Sequence, residues 1–154
     1  MFKFMVFITN LGSPLSVTLL SVGLIGLLWI RGKKIEAKDF FRVMLAAAAA
    51  VLLLKYLVAR PRPPITTFSE IGPSFPSAHA TLSLVFFLCI AYFFERHISS
   101  RFWKTLFILL NIAIVALVSI SRVYLGVHYV SDVIGGLVLG LLIFVFFVWH
   151  RRRS

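Results

Sequence analysis

Five long apolar stretches, separated by short polar or proline-rich segments, dominate the chain. Residues 4–30 carry no charge, and further apolar runs lie at about 41–59, 76–94, 105–120 and 130–149. Apolar runs of this kind are typical of helices that cross a bilayer, in which every backbone polar group is bonded within the helix. The pattern therefore predicts an all-α, integral-membrane helical bundle with about five transmembrane helices.

The first apolar run has two interpretations, a signal peptide or a retained helix. Only Lys3 precedes it, no convincing small-residue cleavage site follows, and a basic cluster at residues 31–34 ends it. We therefore predict a retained helix from about Gly12 to Ile30, with Phe2 to Asn10 near the membrane interface or starting the span.

Local signals refine these helices. Ser13 is expected to be an N-cap, with Pro14 at the first helical position. Five consecutive alanines at 46–50 permit close helix contact in a membrane, as do Gly136 and Gly140, which are four residues apart. We expect the two glycines to serve packing within the bundle rather than dimerisation.

Composition narrows the class of protein. With 60% hydrophobic residues in 154, the chain is too apolar for a soluble globule, and without repeats or linkers it predicts one membrane-embedded domain over residues 1–154. The net charge of +11 does not indicate nucleic acid, because most basic residues lie at the ends of apolar segments. The lipid bilayer is the expected partner. Cys89, the one cysteine, predicts no disulfide within the chain.

Alternate assignment of the polar segments to two sides of the membrane sorts the charges unevenly. One side collects eleven of the sixteen basic residues: Arg31, Lys33, Lys34, Lys38, Arg42, Arg96, Arg101, Lys104, Arg151, Arg152 and Arg153. The positive-inside rule makes this side cytoplasmic. The outward side holds the rest: Lys3, Lys55, Arg60, Arg62 and Arg122. Since basic residues are normally depleted there, we interpret the last four as anion-binding and expect a multi-pass protein of the cell (inner) membrane with an extracytoplasmic site.

The outward segment 121–132 combines Arg122, His128 and Asp132. If a helix begins near His128, the imidazole and the carboxylate share one face and can meet. A carboxylate on one imidazole nitrogen fixes the tautomer and leaves the other nitrogen free to attack. An interfacial loop with a snorkelling arginine and a capping aspartate is the plainer alternative.

The outward segment 55–79 carries the other candidates. Lys55 lies within an apolar run, where a cation needs a partner or room to snorkel. A proline-rich stretch ends this helix, and the next begins near Pro76. Ser77 and His79 then lie in its first turn, where unpaired backbone N–H groups form an anion site. For His79 alone, an interfacial imidazole is the alternative.

Together these residues resemble a known three-part signature. In order along the chain its parts are Lys55 with Arg62-Pro63, then Pro76-Ser77-Ala78-His79, then Ser121-Arg122 with His128 and Asp132. This is similar to the type 2 phosphatidic acid phosphatase superfamily, whose soluble relatives include vanadium haloperoxidases and bacterial acid phosphatases. The resemblance extends from about Leu11 to Trp149 and implies a PAP2/haloperoxidase-like helical core.

The resemblance implies a role for each motif residue. His128 would be the nucleophile that becomes a phosphohistidine, Asp132 would orient it, and His79 would protonate the leaving oxygen and then activate water. The remaining motif residues would hold the phosphate oxygens: Lys55, Arg62, Ser77, Ala78 and Arg122. Fixed cations and N–H donors suit this task, because a phosphoryl group in transfer carries spread negative charge.

We expect no metal and no cofactor. Of the five acids only Glu70 and Asp132 lie on the outward side, too few for a two-metal carboxylate site.

Two features depart from the family pattern. Ala78 replaces the usual glycine and adds a methyl group beside the phosphate site. Many members have six spans, so this chain is either a compact five-span form with its N-terminus outside or a truncated one.

The leading hypothesis is a membrane phosphatase for a lipid phosphate monoester or diphosphate of the phosphatidic acid, phosphatidylglycerophosphate or undecaprenyl diphosphate class. The alternative is a non-catalytic membrane protein that keeps a phosphate-binding site, which the paired histidines disfavour. An anion transporter is weaker, because the charges cluster at one interface. Arg60 is left open between assisting the phosphate site and anchoring, and Glu70 is interpreted as a solvated loop acid. No oligomeric state is predicted.

Overall fold

The computed structural model describes residues 1–64 and 70–153, without the side chain of Arg96. Within these residues every regular element is helical. The α-helices are α1 (Phe2–Leu11), α2 (Pro14–Ile30), α3 (Lys34–Val58), α4 (Ala78–Phe94), α5 (Arg101–Tyr124) and α6 (Val130–Arg151). A 3₁₀ turn, Glu95–His97, follows α4. The all-α prediction is confirmed, and the middle of the outward segment 55–79, residues 65–69, lies outside the described part.

A tight junction separates α1 from α2 within the first apolar run. The Ser13 hydroxyl oxygen accepts a hydrogen bond from the Ser16 N–H at 3.1 Å, and Pro14 is the first helical residue, as the sequence predicts. The Ser16 hydroxyl donates to the Asn10 carbonyl at 2.6 Å, and the two helices meet at a bend of 42°. The N-terminal segment is therefore a helix of its own, which packs against α5.

Three helices, α3, α5 and α6, are long and apolar enough to cross a membrane. The bent pair α1–α2 passes the same test as one broken span, and α4, with 17 residues, is a shorter apolar helix at the lower limit for a span. Only 17%, 33% and 17% of the most apolar windows of α3, α5 and α6 are buried inside the bundle. The rest of their apolar surface suits contact with lipid, as expected for a multi-pass membrane protein.

Two helices extend beyond their predicted ends. The sequence predicts α3 from about residue 41, but it begins at Lys34, and it predicts α5 over 105–120, but this helix continues to Tyr124. Hydropathy marks the part of a helix inside the bilayer, whereas backbone hydrogen bonding continues through the interface. Arg122 therefore lies in the last turn of α5 rather than in a loop.

Helix α4 lies at the centre of the bundle and contacts α2, α3, α5 and α6. Its apolar side chains join those of α2 and α3 in the main core: Val17, Phe40, Val43, Ala47, Leu82, Val85, Phe86, Cys89 and Phe93. Phe40 and Phe86 meet edge to face with ring centroids 5.9 Å apart. Because this core holds α4 on several sides, it determines where the N-terminus of α4 lies.

Ion pairs join the helices at the opposite end of the bundle, where the predicted cytoplasmic residues gather. Asp39 Oδ2 of α3 lies 3.2 Å from Arg151 Nε of α6, and Asp39 Oδ1 lies 3.6 Å from Arg42 Nη1. Glu95 and Lys104 pair at 3.5 Å across the turn between α4 and α5. These contacts bring the ends of α3 and α6 together far from the candidate motifs.

The close contact between α4 and α6 depends on glycine. A Cβ on Gly136 would lie 2.8 Å from the Ser77 carbonyl oxygen and 3.0 Å from the Thr81 hydroxyl, and one on Gly140 would lie 3.1 Å from the Thr81 carbonyl oxygen. The Thr81 hydroxyl lies 3.0 Å from both the Ser77 and the Gly136 carbonyl oxygens. The prediction that these glycines serve packing within the bundle is confirmed.

We expect Gly136→Ala to destabilise the protein by about 1–3 kcal/mol, because the added methyl group forces α6 away from the start of α4. Thermal unfolding in detergent, followed by circular dichroism, measures the effect. Gly23→Ala is the matched control, since nothing lies within 4 Å of its added methyl group. Equal melting temperatures for the two variants would contradict the packing described here.

Candidate functional site

The second predicted motif surrounds the start of α4. Ser77 is the N-cap residue, and its hydroxyl oxygen accepts a long hydrogen bond from the Ala80 N–H at 3.5 Å. Ala78 and His79 are the first two helical residues, so their N–H groups have no intrahelical carbonyl to bind. His79 is buried, with 8% of its surface exposed. A buried imidazole therefore lies at the positive end of a helix dipole.

The start of α6 lies directly beside the start of α4. The Ser77 N–H donates to the Asp132 carbonyl at 3.0 Å. Helix α6 begins at Val130, as the start of the fifth apolar run predicts, and His128 lies in the turn before it. The Tyr129 N–H donates to Asp132 Oδ2 at 3.0 Å. Asp132 therefore caps its own helix, as the alternative of a capping aspartate predicts.

His128 and Asp132 approach each other in this turn. His128 Nδ1 lies 3.6 Å from Asp132 Oδ2, just beyond hydrogen-bonding distance, and has no hydrogen-bond partner among the described residues. Asp132 Oδ1 accepts a hydrogen bond from Arg60 Nη1 at 2.8 Å. Arg60 also donates to the Ser131 hydroxyl at 2.7 Å and lies 4.2 Å from the centroid of the Tyr129 ring. Arg60 thus holds the carboxylate that faces His128.

Arg62 reaches the other side of the same imidazole. Its Nη1 lies 3.5 Å from His128 Nε2 and donates to the Val127 carbonyl at 3.0 Å. Its Nε donates to the Gly72 carbonyl at 2.9 Å. Two backbone carbonyls therefore hold this guanidinium group at the ring nitrogen that points away from Asp132.

Arg122 is almost completely buried, with 2% of its surface exposed. Its Nη1 donates to the Thr9 hydroxyl of α1 at 2.7 Å, and its Nη2 pairs with Glu70 Oε1. Glu70 Oε2 lies 2.9 Å from Arg62 Nη1. The interpretation of Glu70 as a solvated loop acid is wrong, because its carboxylate lies between two guanidinium groups.

Lys55, near the end of α3, completes the set of cations. Its ammonium group donates to the Pro73 carbonyl and interacts electrostatically with both carboxylates and with Arg62 and Arg122. Four basic side chains and two carboxylates thus lie together, which leaves an excess of two positive charges. A phosphate monoester carries a charge of about −1.5 to −2 at pH 7, so this excess suits such a group.

His79 belongs to the same cluster. Its ring interacts electrostatically with Arg122, Glu70 and His128. The three predicted motifs, far apart in the chain, therefore meet at one end of the bundle. The individual roles assigned to these residues stay predictions.

Burial and neighbouring charges shift the pKa values of His128 and Glu70, which both lie outside the helices. Burial, together with the cations Arg122 and Arg62, lowers the pKa of His128 to about 4, so its ring is neutral at pH 7. Burial alone would raise the pKa of Glu70, but the hydrogen bond and charge of Arg122 outweigh it and hold this pKa below its ordinary value. The neutral imidazole of His128 and the ionised carboxylate of Glu70 therefore belong to the same cluster.

The donor set of the site suits an anion. Both of its carboxylates, Asp132 and Glu70, are bonded to guanidinium groups. In the part of the chain that the structure describes, no group of three or more His, Cys, Asp or Glu side chains gathers. Independence from metal stays a prediction.

Comparison with known proteins places this arrangement in a family. The family model described as the PAP2 superfamily matches residues 37–154. The chain belongs to the PAP2 superfamily. The crystal structure of a transmembrane PAP2-type phosphatidylglycerolphosphate phosphatase from Bacillus subtilis matches with a TM-score of 0.88 and 32% identity, covering 99% of this chain and 77% of that chain. The expected PAP2-like helical core is confirmed.

Two curated relatives in the superfamily are also lipid phosphatases by name. Phosphatidylglycerophosphatase B of Bacillus subtilis is 43% identical over 95 residues, which are 60% of this chain and 46% of that protein. Lipid A 4'-phosphatase of Porphyromonas gingivalis is 35% identical over 83 residues, which are 52% of this chain and 31% of that protein. The matched segments therefore span about half and about a third of the length of these relatives.

Two contributors to this site, Thr9 and Glu70, were not identified from the sequence, and the role of Arg60 was left open. Thr9 lies outside the range of the family match, and no local pattern links it to Arg122, which is 113 positions away. Glu70 carried a usable signal, since one of two outward acids near four cations is expected to pair. For Arg60 the sequence gave its place among the four outward cations and left open whether it assists the phosphate site or anchors the segment.

The lowered pKa of His128 can be tested directly. In protein labelled with ¹⁵N-histidine, we expect this ring to remain neutral at about pH 6 and to take up a proton only near pH 4. NMR in detergent measures the titration, and loss of the signal in His128→Asn assigns it. Because the pKa is lower in the folded state, the ring favours folding above its ordinary pKa of 6.5, and this contribution is lost as the pH falls toward 4. A ring that titrates at 6.5 or above would contradict this environment.

Proposed function

We propose that the chain is a membrane-embedded lipid phosphate phosphatase of the PAP2 type, with phosphatidylglycerophosphate as its favoured substrate. The observation that carries this proposal is the meeting of two buried imidazoles, His79 and His128, with four basic side chains at one end of a lipid-facing bundle. Binding an anion needs cations alone. A neutral histidine placed between a carboxylate and a guanidinium group suits nucleophilic attack.

In the first step, His128 attacks phosphorus through Nε2, the nitrogen beside Arg62, while Nδ1 faces Asp132. A bond forms between Nε2 and phosphorus, and the bond from phosphorus to the bridging lipid oxygen breaks. With a phosphate dianion bound beside it, His79 is protonated and gives its proton to that oxygen, so the lipid leaves as an alcohol. The Asp132 carboxylate stabilises the positive charge that develops on the ring of His128.

In the second step, His79 is neutral and takes a proton from water. The water oxygen attacks phosphorus, the bond between phosphorus and nitrogen breaks, and its electron pair returns to His128. Inorganic phosphate leaves the site. Two steps of this kind replace one difficult direct displacement.

The surrounding groups stabilise the phosphoryl oxygens throughout. We assign this role to Arg62, Arg122 and Lys55, and to the start of α4 at Ser77 and Ala78. The guanidinium groups are held by carbonyls and by a hydroxyl, so they need little rearrangement when charge develops on the phosphate.

An apolar groove beside the site suits the tail of a lipid. It has a volume of about 410 Å³ between α5 and α6 and is lined by Ser119, Ile120, Val123, Tyr124, Val130, Val133 and Ile134. These residues flank Arg122 and His128 in the chain. A tail in this groove would remain in the bilayer while its phosphate reaches the cations.

The name of the relative phosphatidylglycerophosphatase B supports phosphatidylglycerophosphate as the substrate lipid, with phosphatidic acid and undecaprenyl diphosphate as the other candidates. We place the reaction on the extracytoplasmic face of the inner membrane. The reason is that the opposite end carries eleven of the sixteen basic residues, as the positive-inside rule expects of the cytoplasmic side.

Purified protein in detergent is expected to release phosphate from phosphatidylglycerophosphate faster than from phosphatidic acid or undecaprenyl diphosphate. His128→Asn should lower kcat by about 10³-fold or more, because the nucleophile is lost. Rapid quenching with ³²P-labelled lipid should trap phosphate on the parent protein and not on this variant.

His97→Asn is the matched control, since His97 lies at the other end of the bundle, with its Nε2 3.0 Å from Lys33 Nζ. Its loss should leave kcat unchanged. If the parent protein releases no phosphate from any of the three lipids, the enzymatic proposal is wrong. Phosphate binding without turnover would then identify the non-catalytic alternative.

We also expect the activity to survive removal of divalent metals, because the site presents cations and N–H donors to the phosphate rather than free carboxylates. Rates measured with and without excess EDTA should agree within about twofold. Loss of activity in EDTA that magnesium restores would reject this expectation.

A further inference from the structure

The two arginines assigned to the phosphate already bind an anion within the chain. Glu70 Oε1 pairs with Arg122 Nη2, and Glu70 Oε2 lies 2.9 Å from Arg62 Nη1. A carboxylate that spans two guanidinium groups uses the donors that two oxygens of a phosphate would use. No step of the reaction described above requires Glu70.

The arginines have other partners that hold them in place. Arg122 donates to the Thr9 hydroxyl at 2.7 Å, and Arg62 donates to the Gly72 and Val127 carbonyls at 2.9 and 3.0 Å. These acceptors belong to α1 and to the loops beside the site. Both guanidinium groups can therefore keep their positions when the carboxylate of Glu70 moves away.

Glu70 is placed so that it can move. It lies in the segment before α4 rather than in a helix, and 29% of its side chain is exposed. The carboxylate of Asp132, by contrast, is fully buried at 0% exposure and belongs to α6. The lowered pKa of Glu70 keeps it negatively charged near neutral pH, so it competes with other anions for the same donors.

We propose that Glu70 is a resident competitor for the phosphate subsite: its carboxylate occupies Arg62 and Arg122 when no phosphate is bound, and the phosphate of the substrate displaces it toward solvent. The identity of that substrate rests on the proposed function, whereas the exchange itself concerns anion binding alone. A phosphate with nearly two negative charges replaces a carboxylate with one. The apparent affinity for phosphate is then lower than the intrinsic affinity by the fraction of time that the subsite is open.

A purely structural role for Glu70 predicts the opposite behaviour. If the carboxylate positions the two arginines for the substrate, its removal should disorder them and weaken the binding of phosphate. The direction of the change in affinity therefore separates the two roles.

The test uses inorganic phosphate as the probe and the full chain in detergent. Thermal unfolding at increasing phosphate concentration and constant ionic strength gives an apparent Kd that does not depend on turnover. We expect Glu70→Gln to bind phosphate about tenfold more tightly than the parent, as it would if the carboxylate holds the subsite about 90% of the time. Glu70→Ala, which removes the side chain, should show the same direction if Glu70→Gln fails to fold.

Glu95→Gln is the matched control, because Glu95 pairs with Lys104 at the other end of the bundle. It should leave the affinity for phosphate unchanged. Unchanged or weaker phosphate binding in both Glu70 variants would overturn the proposal.

Steady-state kinetics on any lipid that the parent protein hydrolyses give a second test of the role of Glu70. Glu70→Gln should lower KM by about tenfold with little change in kcat, because displacement of Glu70 precedes the chemical step. A fall in kcat with KM unchanged would contradict competition for the subsite. A parent protein without phosphatase activity would defeat the proposed function and still leave the phosphate titration to decide the role of Glu70.

Discussion

Four positive side chains lie together at the end of an apolar bundle, and the structure depends on how their repulsion is balanced. Two like charges about 4 Å apart repel by about 4 kcal/mol at an effective dielectric constant of about 20. Asp132 and Glu70 supply two opposing charges, and backbone carbonyls accept hydrogen bonds from Arg62 and Lys55. The remaining excess of positive charge is what makes this end of the bundle suited to a phosphate.

The two carboxylates balance this charge in different ways. Asp132 is buried in α6, caps that helix and accepts from Arg60, so it is part of the rigid structure. Glu70 is partly exposed in a loop and spans two guanidinium groups. Thr9 of α1 shares Arg122 with it, so a helix outside the matched family range also contributes to the site. The site is therefore assembled from nearly the whole chain.

Much of this architecture follows from local sequence, and the remainder depends on packing. The Ser13 cap and the packing role of Gly136 were predictable, because each follows from the residue type and its immediate neighbours. The ends of α3 and α5 were not, since hydropathy does not report where backbone hydrogen bonding stops. The position of Glu70 was missed because its partners are distant in the chain and become neighbours only once the helices have packed.

The hydrogen bond from the Ser77 N–H to the Asp132 carbonyl has a mechanical consequence. It links the segments that carry the two imidazoles through main-chain atoms rather than through side chains. Motions that shift α1 or α3 would leave the spacing of these two segments nearly unchanged, since neither helix takes part in this hydrogen bond. The outer helices can therefore move while the segments that carry the two imidazoles keep their relative positions.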